Sequence, residues 1–318
     1  MNDTITLIDA YSQIYRGFYA LPLLTNSKGQ FTNAVLATAK FLLSLERDYP
    51  SPYGAVVFDK GRPAHRMILA PEYKAKRPPM PQELQSQLPF IRQWIEAAGW
   101  NIVERDGTEA DDIIAAIAVN FKENPIRIIS ADKDISQVID DRIKMLIPDR
   151  KLGGFLLQGR DEVVARFAVL PTQIVDYLSL IGDSSDNIPG VDGVGPKTAA
   201  KLLSRFGSLD EMLKKTSEIE NDKLREKIIG SVEIIRRNQK IIALDLSISD
   251  EGLSDINNYL KRKPDCEKLK SIAADLEMKS MITELDKSGD KQEVEKTRQS
   301  AKVKQTEKDA VFTPDLFG

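Results

Sequence analysis

Nine acidic residues recur in short clusters along the chain: Asp9, Asp59, Glu109, Asp111, Asp112, Asp132, Asp134, Asp183 and Asp186. Asp9, Asp59 and Asp132 each stand at or just past the end of an apolar run that reads as a strand, over residues 4–8, 53–58 and 126–130. In an open parallel sheet those carboxyl ends line one crevice, so aspartates far apart in sequence meet there. Glu109, Asp111 and Asp112 open a helical pattern behind another short strand at 102–104, and Asp134 follows Asp132 by two. Asp183 and Asp186 lie at the entry to a helical region. Like charge at this density calls for divalent cations between the carboxylates. Oxygen donors without Cys or His support suit Mg²⁺ or Mn²⁺ rather than zinc. Two such ions about 4 Å apart would activate a water and stabilise the leaving oxygen of a phosphodiester. Taken singly, the acidic residues have plainer accounts: an Asp after a strand is most often a turn or cap residue, and 109–112 can complement a helix dipole with Thr108 as cap. Recurrence at corresponding positions weighs against that account for the whole set.

Two further patterns bear on phosphate. The run Gly190-Val191-Asp192-Gly193-Val194-Gly195-Pro196-Lys197-Thr198-Ala199 has the form of a helix–hairpin–helix. Gly193 and Gly195 permit tight backbone geometry, and Lys197 and Thr198 open a helix whose free amides suit a DNA phosphate. The carbonyls of Val191 and Val194 could hold a monovalent cation such as K⁺; an ordinary glycine-rich connection is the alternative. In 60–77, Arg66, Lys74 and Arg77 crowd around Tyr73, the combination of cations and an aromatic ring expected for single-stranded DNA. A solvated charged face is the competing account. Arg16, after Tyr15, is a further phosphate-contact candidate. Trp94 shares a helical face with Ile91 and Ile95 and, like Trp100, reads as packing. His65 reads as structural or exposed.

Apolar strands alternating with helical stretches predict an α/β fold with a mostly parallel sheet over residues 1–159. A basic, proline-punctuated insertion interrupts it at about 61–85. A helical domain follows over 160–285, with the hairpin at 183–205. Large apolar residues nearly vanish after 285, so 286–318 is expected to be a disordered tail. The composition, 42% hydrophobic with a net charge of −3, predicts a folded, soluble chain. Acidic and basic residues are segregated, so the mean charge conceals faces of opposite potential. The single cysteine, Cys266, allows no internal disulfide, and the apolar runs fall short of a bilayer span. A cytoplasmic, nucleoid-associated monomer without membrane contact is expected.

These motifs resemble the 5′-nuclease domain of bacterial DNA polymerase I and, more distantly, the flap endonucleases. The resemblance runs through Leu7-Ile8-Asp9, Tyr15-Arg16-Gly17-Phe18, Val57-Phe58-Asp59, Tyr73-Lys74-Ala75-Lys76-Arg77-Pro78-Pro79, Glu109-Ala110-Asp111-Asp112, Ala131-Asp132-Lys133-Asp134 and Gly182-Asp183-Ser184-Ser185-Asp186. It spans about residues 4–285, without the polymerase, which reads as a free-standing nuclease or a cut-down chain. It implies a PIN-like domain with a helical arch over the site, and 5′-exonuclease and flap-endonuclease activity in replication and repair. By that likeness Asp9, Asp59, Glu109 and Asp111 would serve one metal, with Asp112 close by. Asp132, Asp134 and Asp186 would serve a second, and Asp183 a third or auxiliary ion. Lys74 and Arg77 would stabilise the scissile phosphate, Tyr73 would seat an unpaired nucleotide, and Arg16 and Arg66 would contact phosphate. Ala10 departs from the glycine common in the family.

The terminal Thr313-Pro314-Asp315-Leu316-Phe317 resembles the short peptide by which bacterial replication proteins hold the β sliding clamp, with Asp315, Leu316 and Phe317 as the contacts. Two other classes compete with the nuclease: a catalytically silent binder of DNA structures, and an aspartate-based phosphotransferase. Concentrated carboxylates disfavour the first. Tyr11, where a dehalogenase-type enzyme would want a second Asp, disfavours the second.

Overall fold

The computed structural model describes residues 3–148, 154–248 and 251–287. Its central sheet comprises β1 (Ile5–Asp9), β2 (Tyr53–Phe58), β3 (Asn101–Glu104), β4 (Ile126–Ile129), β5 (Ile143–Pro148) and β6 (Phe155–Gln158), in the order β3-β2-β1-β4-β5-β6. Every pairing is parallel except that of β6 with β5. The α/β class and mostly parallel sheet expected from the sequence are both present, whereas β5 and β6 were not foreseen. Their apolar runs are short, and periodicity alone does not separate such runs from helix.

Side-chain alternation sorts the strands onto two cores. Ile5, Leu7, Ala55, Val57, Ile126 and Ile128 pack against the helix Ala110–Asn120. Ile8, Val56, Phe58 and Ile129 face the helices Ala10–Ala20, Asn33–Asp48 and Leu88–Ala97 on the other side. With helices covering both faces, the strands read as nearly continuous apolar runs. Trp94 and Trp100 are buried in the second core, in line with their packing role.

The helical region shares the first core through Tyr177, Leu178, Ile235 and Ile241. Its entry carries a two-stranded pair, β7 (Gly182–Asp183) and β8 (Ile188–Pro189), where helix alone was expected. A last helix covers 279–287. The expected tail therefore lies outside the described residues from 288 onward, and so does the clamp peptide. Among the described residues no single helix is long and apolar enough to cross a membrane.

Candidate metal centre

Parallel register sets Asp9 beside Val57 at the end of β1, so Asp9 and Asp59 emerge together at one edge of the sheet. Asp9 caps the following helix, accepting the Ser12 N–H at 3.1 Å and the Ser130 hydroxyl at 2.8 Å. Asp59 accepts the Ala110 N–H at 2.9 Å, which fastens the start of the helix bearing Asp111 to the end of β2. Ser130 also accepts the Asp132 N–H at 3.0 Å. Asp9, Asp59, Asp111 and Asp132 thereby line one cavity of about 280 Å³, together with Tyr11, Tyr15, Lys74 and Arg77.

A second group stands on the helical side. Asp134, Asp183 and Asp186 offer oxygens all within 4.8 Å of one another, and Glu109, Asp111 and Asp112 do the same nearer the first strands. Lys74 spans the two groups, 2.6 Å from Glu109 and 3.8 Å from Asp186. Arg77 donates to Asp186 at 2.5 Å, and Lys133 to Asp183 at 2.6 Å.

The electrostatics report crowding. Burial, joined by the Asp59 and Asp132 charges, pushes Asp9 up to about 7 despite its two hydrogen bonds. Burial and the neighbouring Asp112 and Glu109 hold Asp111 well above the carboxylate range. Asp134 rises for the same reasons, with Asp132 the like charge that acts on it most strongly. Glu109 moves the other way: burial opposes ionisation, but Lys74 and Arg66 outweigh it. Oδ1 of Asp134 is buried with no hydrogen-bond partner among the described residues. An all-oxygen donor set, an orphaned buried carboxylate oxygen and crowded acids held above the carboxylate range fit hard divalent cations.

Two family models match the chain. The N-terminal resolvase-like domain of 5′-3′ exonucleases matches residues 4–168, and their C-terminal SAM fold matches 169–265. The chain belongs to the 5′-3′ exonuclease family. The 5′-3′ exonuclease of Aquifex aeolicus is 36% identical over 290 residues, covering 89% of this chain and 96% of that protein. DNA polymerase I of Bacillus subtilis is 38% identical over 226 residues, 70% of this chain but 26% of the polymerase. Among solved structures, bacteriophage T5 5′-exonuclease with bound divalent metal ions (zinc) superposes with a TM-score of 0.64 at 20% identity, over 86% of this chain and 98% of that one. The catalytic core of Rad2 in complex with DNA substrate gives 0.61 at 14% identity, over 89% and 93%. These two likenesses concern the fold.

Within this exonuclease fold several expected contacts are relocated. Arg66 is buried, 1% exposed, where phosphate contact was expected. It grips Asp112 with two bonds of 2.6 and 2.7 Å, also reaches Glu109, and donates to the carbonyls of Ile241 and Ala243 at 2.8 and 3.2 Å. Asp112 further accepts the Asp245 N–H at 2.9 Å, so it lies beside the cavity as half of a buried ion pair. Tyr73 was expected to meet an unpaired base. It is 5% exposed instead, and its hydroxyl donates to Glu109 at 3.1 Å. The reason is common to all three: buried carboxylates need donors, and the nearest basic and phenolic groups supply them. Arg16 lines a separate cleft with Gln13, Gly17 and Phe155, because helical spacing turns Tyr11, Ser12 and Tyr15 toward the carboxylates instead. Ala10 takes the first helical position without a left-handed backbone, so replacing the family's glycine costs no strain there.

The segment 61–85 carries the helices Ala64–Leu69 and Gln82–Gln85 and is tied down onto the helical region. The Lys74 N–H donates to the Asp186 carbonyl at 3.0 Å, and Asn187 donates to the Glu72 carbonyl at 2.9 Å. Lys74 adopts a φ of 55°, an unusual backbone for a lysine, held by this contact between the two regions. Sequence reasoning assigned no site role to Ser12, Ser130, Lys133, Tyr11 or Tyr15. Ser130 directly follows β4 and carried the same strand-end signal as the aspartates.

In the hairpin, a Cβ on Gly190 would lie 2.3 Å from the Ile181 carbonyl, so only glycine allows this approach. The Val191 N–H donates to Leu180 at 2.8 Å, and the Val194 N–H to Val191 at 3.0 Å, with Gly193 at φ +78°. Gly195 then caps the helix Pro196–Phe206. The side chains of Val191 and Val194 are buried, Lys197 is exposed and Thr198 half-buried, which leaves the helix start open to solvent. His65 is exposed.

Proposed function

We propose that this chain is a divalent-metal-dependent 5′-nuclease that hydrolyses DNA phosphodiesters where an unpaired 5′ strand meets duplex, serving replication and repair. The observation that carries this reading is the convergence of Asp9, Asp59, Asp111 and Asp132 on one cavity that also presents Lys74 and Arg77. A relative named as a 5′-3′ exonuclease, a fold neighbour holding divalent ions and another holding DNA support it.

Asp9, Asp59, Glu109 and Asp111 would hold one ion, Asp132, Asp134 and Asp186 a second, and Asp183 a third or auxiliary ion. Bound Mg²⁺ or Mn²⁺ would supply positive charge that acidifies the attacking water and neutralises the leaving oxygen. Water adds to phosphorus, the bond to the 3′-oxygen breaks, and a 5′-phosphate remains. Lys74 and Arg77 exchange their carboxylate partners for the scissile phosphate, which places cations against developing negative charge. The hairpin, through Gly193, Gly195, Lys197 and Thr198, grips duplex phosphate without reading sequence, with K⁺ at the Val191 and Val194 carbonyls. A cytoplasmic, nucleoid-associated monomer tethered to the β clamp by residues 313–317 completes the proposal.

The test incubates the protein with a 5′-labelled flap duplex and Mg²⁺ or Mn²⁺, beside Asp111→Asn and a metal-free control. Cleavage at the junction by wild type, with a loss of about a hundredfold or more in Asp111→Asn, is expected. Tight binding without cutting by the wild type would point to the silent binder instead.

A further inference from the structure

The burial of Tyr73 leaves the unpaired nucleotides of the proposed substrate without their expected stacking partner, and the helix Ala10–Ala20 offers another. Tyr11, Tyr15 and Tyr19 recur every four residues, so they share one face of that helix. Tyr11 and Tyr15 line the carboxylate cavity. Tyr19, one turn further out, is 70% exposed. The rings form a continuous series: Tyr11 to Tyr15 at 6.3 Å and 53°, then Tyr15 to Tyr19 at 6.4 Å and 19°, nearly parallel. Buried Phe18 meets Tyr19 in a T-shaped contact, with ring centroids 5.1 Å apart.

We propose that these three tyrosines form a stacking track along which the bases of the unpaired strand run into the cavity, with Tyr19 as the outer platform. This rests on the nuclease reading. Arg77 lines the same cavity as Tyr15, so a cation for the phosphate stands beside a ring for the base. That pairing defines single-strand recognition, and it tolerates any sequence because every base has a π-face. Tyrosine suits the task because little conformational freedom is lost when its ring is engaged. A protein-binding patch would make use of the exposed ring of Tyr19 but not of its continuity with the cavity.

The experiment compares KM for a 5′-flap duplex with an ordinary flap and for one with an abasic flap, in Mg²⁺, for wild type, Tyr19→Ala and Tyr19→Phe. Wild type and Tyr19→Phe should favour the base-bearing flap by about tenfold, and Tyr19→Ala by less than about twofold. A 2-aminopurine placed in the flap should be quenched on binding to wild type and less so on binding to Tyr19→Ala. Equal discrimination by wild type and Tyr19→Ala, or none by wild type, overturns the track while leaving the nuclease standing, and redirects Tyr19 toward a protein partner. Failure of wild type to cut either flap removes the nuclease reading and the track with it.

Discussion

Arg66, read from the sequence as a phosphate contact, lies buried against carboxylates instead. It neutralises Asp112 and Glu109 while bonding to two carbonyls of the helical region, so its loss leaves buried carboxylate charge without a partner. Arg66→Met should destabilise the protein by ~3–5 kcal/mol, read as a lower urea midpoint. A change below about 1 kcal/mol would refute the buried-pair account. Asp9 supplies a pH signature. Its native pKa, about 7, lies above the ordinary 3.8, so the native state binds the extra proton between those values. The Asp9 contribution to stability is full below 3.8 and is lost as pH rises through 7, when metal is absent. Divalent ions displace the same proton, so Mn²⁺ affinity should climb by up to about tenfold per pH unit below neutrality and level off above it. Calorimetric titrations from pH 5.5 to 8 would show this; a flat profile would mean that Asp9 is ionised throughout.

Among the elements, the paired β7 and β8 matter more to the hairpin than the glycine pattern suggests. Gly190 lies against the backbone of Ile181 and Gly182, and Asn238 donates to the carbonyls of Pro189 and Ser179 at 2.7 and 3.1 Å. The hairpin is thus anchored to the helix Val232–Ile242, whose C-terminal end also receives Arg66. Gly190→Ala should cost ~1–3 kcal/mol by forcing these backbones apart, and should weaken duplex binding measured by fluorescence anisotropy. Unchanged stability and binding would show that the hairpin tolerates a different path. The helix Ala110–Asn120 is the other decisive element. It is apolar all round after its acidic start, which made it easy to recognise and places Asp111 rigidly at the cavity.

At the scale of the molecule, two regions share one carboxylate site: Asp9, Asp59 and Asp111 from the sheet domain, Asp183 and Asp186 from the entry to the helical region. Metal binding should therefore stabilise the whole chain. Adding Mn²⁺ at a hundred times its Kd should contribute about 2.7 kcal/mol and raise the Tm of wild type, with a smaller rise in Asp111→Asn. Equal shifts in the two proteins would place the ion elsewhere. The acidic clusters, the parallel sheet and the hairpin were legible from sequence because each rests on local pattern: strand ends, alternation and glycine spacing. Those patterns state which residues sit at the edge of an element. They do not state which neighbour a flexible cation will choose. That choice was made by burial in the tertiary structure, where Arg66 and Tyr73 satisfy carboxylates that water cannot reach, and where helical phase turns Tyr11 and Tyr15 toward the metal centre and Arg16 away from it.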